Sequence, residues 1–325
     1  MIYLAKRLKC AKMSKNLNID FFHRHEIDDE RWNRSIDKAF NGNIYAYTWY
    51  LDVVSPGWGA LATTDYNYLF PLPVKKKYGI SYIIQPLLCQ QLGLYSSKHI
   101  SPDLTDQFIE SIPSKFRYIN INLNIHNKTE KYSNHTTRRK TYMLDLLSYN
   151  EQTFKNYNQN TKRNIFKAIA HDLTFTPLLN PNEFLKVYRQ YGFMVDRKKD
   201  IKTIEKLIET LITHNKAIIA GVADKNSQTG AVALFAESHN TLHYLLGAAE
   251  PEIKKKGAMF FTMDGVIRNN SGMDKVLDFE GSMIPSIERF FSGFGAKPCI
   301  YLNYQQNTLP AGETLVKLKQ KLNLI

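Results

Sequence analysis

The stretch from residue 217 to residue 279 decides the fold of this chain. It contains the apolar runs AIIAGVAD (217–224), GAVALFAES (230–238) and LHYLLGA (242–248), followed by GAMFFTMDGVIR (257–268) and KVLDF (275–279). Short apolar runs bounded by turn residues predict strands, and the longer segment predicts a helix. Three consecutive strands without intervening helices do not fit a βαβ repeat, so the pattern favours a mixed sheet with helices around it.

The flanking segments extend this pattern in both directions. After it, Pro285–Phe294 predicts a helix that Gly295 ends in a left-handed conformation, and Lys297–Tyr304 predicts a last strand. Before it, the sequence predicts helices over 151–170, 180–191 and 201–214 and a short strand over 173–176. Asn180 followed by Pro181 is typical of a helix start, because the asparagine caps the helix and proline suits its first turn.

The first half of the chain shows much of the same order. Helices are predicted over 28–40, 44–54 and 101–112, and strands over 59–63, 66–74, 80–91, 118–123 and 140–146. The sequence therefore predicts an α/β protein with mixed sheets that is built from two similar domains. We place an N-terminal tail at residues 1–18, the first domain at 19–148 and the second at 149–325.

Composition restricts the class of protein. The chain has 325 residues, of which 43% are hydrophobic and 22% charged, so it can bury large cores. Its apolar stretches are too short for a transmembrane helix, and Met1–Asn16 lacks the apolar region of a secretory signal. The three cysteines form no C-x-x-C pair, and no cysteine or carboxylate completes a metal site with the spaced histidines. We expect a cytoplasmic protein without a metal.

The chain is strongly basic. Lysine and arginine outnumber aspartate and glutamate by 43 to 30, which gives a net charge of +13. Such a charge attracts phosphates, whether in RNA, nucleotide-linked substrates, coenzyme A or anionic lipid. The alternative is a solvated surface in a lysine-rich composition, since the charge of a whole chain says little about specific partners.

Several motifs resemble those of the Fem-type peptidyltransferases. They are YNQNTKRNIFKA (157–168), GAA (247–249), KKKGAM (254–259), LDFEGS (277–282) and FFSGFG (290–295), with weaker matches at 49–52 and 85–93. The resemblance implies tandem GNAT-like domains that transfer an acyl or aminoacyl group from an activated donor to an amine acceptor. It further implies that no cofactor is bound permanently, with acyl-coenzyme A or an aminoacyl ester as donor and a peptide, amino sugar or cell-wall precursor as acceptor.

Two departures from the family pattern argue against an aminoacyl-tRNA as the donor. Many Fem-type enzymes have a lysine, implicated in handling the aminoacyl donor, at the position that Phe291 occupies here. The long helical hairpin of some members is also missing from the second half. Phe291 and Met259 favour a rival hypothesis, a non-catalytic protein that keeps the twin-domain fold and binds RNA or nucleotide-linked ligands.

Two basic segments are candidates for binding a phosphorylated donor. Lys254, Lys255, Lys256 and Gly257 precede a predicted helix, where backbone N–H groups and the helix dipole favour anions. In the GNAT coenzyme A loop a small residue stands where this chain has Met259. Arg163 and Lys167, four residues apart, share one face of their predicted helix. A solvated basic surface is the alternative at both places.

The catalytic candidates are Asp278, Glu280 and Tyr244. Residues two apart on a strand point to the same side, so the two carboxylates can perturb each other's pKa values and leave one as a general base. One of them could instead cap the turn at Gly281. Tyr244 can hydrogen-bond an acyl carbonyl or protonate a leaving group, although core packing is the alternative for one tyrosine among 19.

The acceptor candidates are Gln85, Gln90, Gln91 and Tyr95. The glutamines interrupt an apolar segment, and polar side chains in a buried segment need hydrogen-bond partners. They can line an acceptor pocket in the first domain or form structural hydrogen bonds. The sequence leaves the oligomeric state open.

Overall fold

A computed structural model describes residues 17–77, 79–148, 151–193, 198–281 and 283–309. Its helices are α1 (Asp29–Lys38), α2 (Thr48–Val54), α3 (Pro102–Glu110), α4 (Glu151–Phe154), α5 (Gln159–Ala170), α6 (Pro181–Tyr191), α7 (Lys198–Thr213), α8 (Pro251–Lys255), α9 (Ala258–Asn269) and α10 (Pro285–Ser292). The predicted tail lies outside the described residues as far as residue 16.

The described strands occur both between these helices and in consecutive runs. They are β1 (Ile19–His23), β2 (Gly59–Thr63), β3 (Tyr68–Leu72), β4 (Val74–Lys77), β5 (Ile80–Ile84), β6 (Tyr95–Ser96), β7 (Tyr118–Asn122), β8 (Thr136–Asp145), β9 (Thr174–Thr176), β10 (Ala217–Ala223), β11 (Thr229–Ser238), β12 (Thr241–Ala249), β13 (Val276–Asp278) and β14 (Lys297–Asn307). Most of the predicted elements, including the capped starts of α3 and α6, are confirmed.

The strands form a small sheet and a large one. The small sheet has the order β1-β2-β3-β6, and the large sheet has the order β4-β5-β7-β14-β8-β13-β12-β11-β10-β9. The pairs β5–β7 and β12–β13 are parallel, and the other strand pairs within these sheets are antiparallel. The chain therefore has the expected mixed-sheet α/β class.

The two halves of the large sheet are related by an exchange of strands. The parallel pair of the first half, β5–β7, is extended by β14 from the end of the chain. The parallel pair of the second half, β12–β13, is extended by β8 from the first half. Strands β8 and β14 then pair with each other, so one sheet crosses the predicted boundary at residues 148 and 149. That boundary stays a prediction, since the sheet does not end there.

The hydrophobic core is also shared between the halves. One cluster joins Trp32 and Tyr50 from the first half with Tyr188 and Leu207 from the second, and all four side chains are buried. Apolar packing of this extent holds the halves against each other. No helix in the described ranges has the length and apolar character needed to span a membrane.

Three predicted elements are broken in the structure. The predicted strand 66–74 divides at Pro73 into β3 and β4, which belong to different sheets. The predicted strand 80–91 ends at Ile84, because Pro86 lacks the N–H that a ladder needs and Leu88 has a positive φ of 59°. The predicted helix 151–170 divides into α4 and α5, and Asn158 caps the second of these by accepting from Thr161 N.

Candidate active site

A cleft opens where β12 and β13 separate. Their parallel pairing covers Thr241–His243 and Val276–Asp278 only. Just beyond it, Leu245 is an extra residue in β12, since Leu234 pairs with Leu246 and Phe235 with Tyr244. A bulge of this kind bends its strand away from a neighbour. Past His243, the edge of β12 that faces the cleft has no strand partner in the described part of the chain, so its alternate N–H groups are open to a ligand.

The cleft has a volume of about 490 Å³ and a mostly apolar wall. It is lined by Tyr191, Phe193, Tyr244, Leu245, Leu246, Gly247, Ala248, Ala249, Lys254, Met259, Phe279, Glu280, Gly281, Ile287, Phe290 and Phe291. Lys254 and Glu280 are the charged residues in that list. An apolar pocket with a few polar groups is the usual form of a small-molecule site.

Asp278 and Glu280 lie at the inner end of the cleft, where β13 stops. Asp278 is 1% exposed, and its Oδ1 accepts hydrogen bonds from the Thr141 hydroxyl and from Glu280 N at 2.9 Å. Glu280 follows the strand with a left-handed φ of 51°. At Gly281 a Cβ would lie 2.1 Å from the Lys140 carbonyl oxygen, so only glycine permits this close turn against β8.

The expected projection of both carboxylates from one strand is wrong, because β13 ends at Asp278. Glu280 is half-buried and lines the cleft, whereas Asp278 lines a second pocket. Asp278 also binds the N–H of the following turn, which is the capping role that the sequence left open. The two side chains are still close enough for the charge of Asp278 to raise the pKa of Glu280.

Tyr45 and His243 connect the two carboxylates. The Tyr45 hydroxyl donates to Glu280 Oε1 and lies 3.3 Å from His243 Nδ1. His243 Nδ1 is 3.8 Å from Asp278 Oδ2. Burial lowers the pKa of His243 to about 3, so the ring is neutral near pH 7 and this contact is not an ion pair.

Burial also shifts both carboxyl groups toward their neutral forms. It raises the pKa of Asp278 to about 6 and that of Glu280 to about 8, although the Tyr45 hydroxyl acts in the opposite direction on Glu280. The described residues give neither carboxylate a lysine or arginine partner within 4.0 Å. Perturbed acids in a cleft are a common property of catalytic sites.

The second pocket lies between the halves of the chain and has a volume of about 130 Å³. We call it the interface pocket. It is lined by Phe40, Asn41, Gly42, Asn43, Tyr45, Gln91, Asn124, Ile125, His126, Met143, His239, Thr241, His243 and Asp278. Most of these side chains are polar, in contrast to those of the cleft.

Comparisons with known proteins give the fold. No protein-family model matches the chain, and a search of curated proteins found no match. Among solved structures, FemX superposes with a TM-score of 0.62 at 14% identity, covering 92% of this chain and 99% of FemX. L-PGS from Bacillus licheniformis superposes with a TM-score of 0.55 at 12% identity, covering 90% and 96%. A tandem GNAT protein from the clavulanic acid biosynthesis pathway gives 0.51 at 8%, covering 89% and 98%.

The chain has the Fem/GNAT-like fold. The resemblance drawn from the sequence motifs is confirmed at this level. Because identities this low show the fold alone, the reaction has to be argued from the site.

The predicted donor residues lie beside the cleft or on α5. Lys254 lines the cleft, and exposed Lys255 pairs with Glu252 at 2.7 Å. The N–H of Gly257 already donates to the Lys254 carbonyl oxygen at 3.0 Å. Gly257 has a φ of 89°, and a Cβ there would lie 2.1 Å from the Asn164 carbonyl oxygen, so close packing of α5 accounts for this glycine.

The remaining basic candidates are on the surface. Lys256 is half-buried in the turn before α9, and Arg163 and Lys167 are exposed on α5. Arg163 donates to Asn160 within its own helix at 2.8 Å. Phosphate binding by these residues stays a prediction.

The predicted acceptor residues divide into structural and pocket-lining groups. Gln85 donates to the Cys89 carbonyl oxygen and accepts from Asn122 N at 2.9 Å, so its amide stabilises a turn. Tyr95 is fully buried, with its hydroxyl on Asn43 Oδ1 and Gln91 O.

Gln91 lines the interface pocket. Its Oε1 accepts from Ile125 N at 3.0 Å, and its Nε2 donates to Gln90 Oε1 at 2.8 Å. Gln90 thus supports Gln91 by this hydrogen bond. A role of either amide in acceptor binding stays a prediction.

Tyr244 lies under the cleft beside the bulge. Its ring packs on Phe235 with centroids 5.3 Å apart, and a Cβ at Gly247 would lie 2.0 Å from its hydroxyl oxygen. Burial raises the pKa of Tyr244, so the hydroxyl keeps its proton near pH 7 and can donate it in a hydrogen bond. Phe291, at the position of the family's lysine, is buried against Phe279 with centroids 5.0 Å apart.

Sequence reasoning missed Tyr45, Thr141 and His243. Tyr45 and Thr141 come from distant segments and carry no motif. His243 is one of the spaced histidines, whose pattern indicates at most a metal site, and its neighbour in that spacing, His239, contacts the Ile36 carbonyl oxygen.

Proposed function

We propose that this chain transfers an acyl or aminoacyl group from an activated donor to an amine, with the reactive carbonyl of the donor in the cleft between β12 and β13. The observation that carries the proposal is the separation of these strands directly beside Glu280. An open strand edge with unpaired N–H groups, an apolar wall and a perturbed carboxylate provide the groups that amide-bond formation needs.

The reaction divides into three balanced changes. The neutral amine attacks the acyl carbonyl carbon, and a C–N bond forms. Glu280 takes the proton that the nitrogen must lose, and the bond from carbon to the sulfur or oxygen of the leaving group breaks. The protonated Glu280 then gives its proton to that leaving group, which restores the carboxylate. A carboxyl group whose pKa is about 8 is a stronger base than an ordinary glutamate, because burial penalises its charge.

The protein would contribute mainly by orientation and by dipoles. N–H groups on the free edge of β12 are available to the oxyanion that develops on the carbonyl oxygen. Tyr244 is a neutral hydrogen-bond donor at the same edge. Lys254 is the cationic group of the cleft and suits a phosphate of the donor.

Acyl-coenzyme A and an aminoacyl ester both fit this site in general terms. Lys254 and Lys256 can meet a phosphate of either donor, whereas Gly257 N–H is already bonded and buried. Binding of RNA would extend over the exposed Arg163 and Lys167 and would weaken with added salt.

The test measures donor binding and turnover separately. Acetyl-coenzyme A, longer acyl-coenzyme A donors and an aminoacyl-tRNA are tested for thermal stabilisation of the chain at two salt concentrations. The donor that binds is then assayed with a panel of primary amines. We expect turnover that Glu280→Gln lowers by about 10²–10⁴-fold, with donor affinity unchanged.

Asp106→Asn is the matched control, because Asp106 is a buried carboxylate whose described partners, Thr129 and the Glu130 and Lys131 N–H groups, lie outside both pockets. Donor binding without turnover would support the rival hypothesis of a binding protein. Equal turnover by the wild type and Glu280→Gln would remove Glu280 from the reaction.

A further inference from the structure

The interface pocket contains a buried carboxylate that lacks a countercharge. Asp278 Oδ1 is used by the Thr141 hydroxyl and Glu280 N, but Oδ2 has no hydrogen bond within the described residues. Its nearest polar neighbour there is the neutral ring of His243, at 3.8 Å. A buried charge without a partner is costly, although the chain as a whole carries +13.

His243 lines the same pocket as a neighbour of Asp278. The residue is 4% exposed, and its Nε2 is closed off from solvent and has no hydrogen-bond partner in the described part of the chain. The Nδ1 side faces the Tyr45 oxygen and Asp278 Oδ2, which both act as acceptors, since Tyr45 donates to Glu280. This network assigns the ring hydrogen to Nδ1 and leaves a lone pair on Nε2.

The mouth of the interface pocket has an aromatic side chain. Phe40 is 53% exposed and meets His126 edge to face, with ring centroids 5.4 Å apart. The face of an aromatic ring attracts cations. The pocket thus combines a carboxylate oxygen that lacks a hydrogen bond, a neutral imidazole beside it and an aromatic ring around about 130 Å³.

We propose that the interface pocket binds a primary ammonium group through Asp278 Oδ2, and that it is the site for the amine acceptor. An ammonium group has N–H donors and a positive charge, which match a carboxylate that lacks both a countercharge and a hydrogen bond on Oδ2. The negative charge of Asp278 would repel a carboxylate ligand. A nucleotide is too large for a pocket of this volume. The word "acceptor" rests on the proposed function, but the binding of an ammonium group does not.

The arrangement also separates the two substrates. Glu280 lines the cleft and Asp278 lines the interface pocket, while Tyr45 and His243 lie between them. An amine bound on Asp278 would therefore approach the carbonyl in the cleft from the side of the interface pocket. Its ammonium group must release one proton to solvent before the nitrogen attacks.

The experiment measures ammonium binding to the full chain without any donor. Ethylammonium chloride is titrated into protein with labelled histidines, and the NMR signal of His243 is followed. Ethanol and sodium chloride are the controls for size and ionic strength. We expect a saturable shift with ethylammonium and none with either control.

Two isosteric variants assign the site. Asp278→Asn should weaken ethylammonium binding by at least tenfold, whereas Asp106→Asn, a buried carboxylate whose described partners lie outside both pockets, should change it by less than twofold. Ile125→Trp places a larger side chain in the pocket from a half-buried position and should also abolish the shift of the His243 signal. This variant replaces Asp278→Asn in the test if Asp278→Asn does not fold.

No His243 shift, or equal binding by Asp278→Asn and the wild type, would overturn the proposal. Saturable ammonium binding in a chain that shows no turnover with any donor would leave this site standing and remove only the proposed transfer reaction.

Discussion

Substitution of Gly257 distinguishes two explanations for this glycine at the start of α9, close packing and phosphate binding. Its φ is 89°, and a Cβ would lie 2.1 Å from the Asn164 carbonyl oxygen of α5. Because that neighbour is backbone, it can move only if α5 and α9 move apart. Gly295 is a natural control, since its φ is 85° and no atom of the described residues lies within 4 Å of its Cβ position.

The two substitutions to alanine differ in one respect. For Gly295→Ala, left-handed backbone costs about 1–2 kcal/mol, and a stiffer unfolded chain offsets about 0.4–1 kcal/mol of this. Gly257→Ala adds the cost of a forced contact, about 1–3 kcal/mol, so we expect a total loss of about 1–5 kcal/mol.

Urea unfolding of both variants measures the difference, and donor binding is then measured on the folded proteins. Gly257→Ala should have the lower midpoint, by an amount equivalent to at least about 1 kcal/mol. Equal midpoints would refute the packing argument. Equal midpoints together with a selective loss of donor binding in Gly257→Ala would instead assign Gly257 to the phosphate.

Three further predictions concern Glu280 and Tyr45. If Glu280 is the general base, kcat should rise with pH through about 8, and the rise should vanish in Glu280→Gln; a rise through about 6 that persists there would indicate Asp278. Tyr45→Phe removes the hydroxyl that lowers the pKa of Glu280, so the rising limb should move to higher pH, and a move to lower pH would contradict the contact. Since the folded chain holds the Glu280 proton more tightly than the unfolded chain, the free energy of unfolding should fall as pH rises from about 4.5 to about 8, and urea titrations of Glu280→Gln should show a shallower fall.

The sequence predicted the order of the elements well because local signals determine them. Caps at Ser101 and Asn180 and the apolar runs of β10–β12 are properties of a few adjacent residues. Strand exchange has no such signal, because the local patterns of β8 and β14 indicate strands but do not indicate which half of the chain each strand pairs with. The missing N–H groups of Pro73 and Pro86 predict breaks in the ladder, so the strands that we predicted as continuous over 66–74 and 80–91 could have been divided from the sequence.

The site was predictable only where its residues are close in sequence. Asp278 and Glu280 were found from their spacing, although the end of β13 gives them different pockets. The contact between Tyr45 and Glu280 joins residues 235 positions apart, and no local pattern marks either partner for the other. The neutral state of His243 depends on burial in the folded chain, which composition cannot show.

Strand exchange makes the candidate site a property of both halves. Thr141 on β8 binds Asp278, and Tyr45 of the first half contacts Glu280. A protease site inserted between residues 148 and 151 should therefore cut the chain without loss of ammonium binding, because β8–β13 and β14–β7 pairing still joins the fragments. The second half expressed alone lacks β8, exposes the edge of β13 and leaves Asp278 without its Thr141 donor, so we expect it to be insoluble or to bind no ammonium. A soluble, monomeric second half that binds ethylammonium as the full chain does would show that the exchanged strand does not build the site.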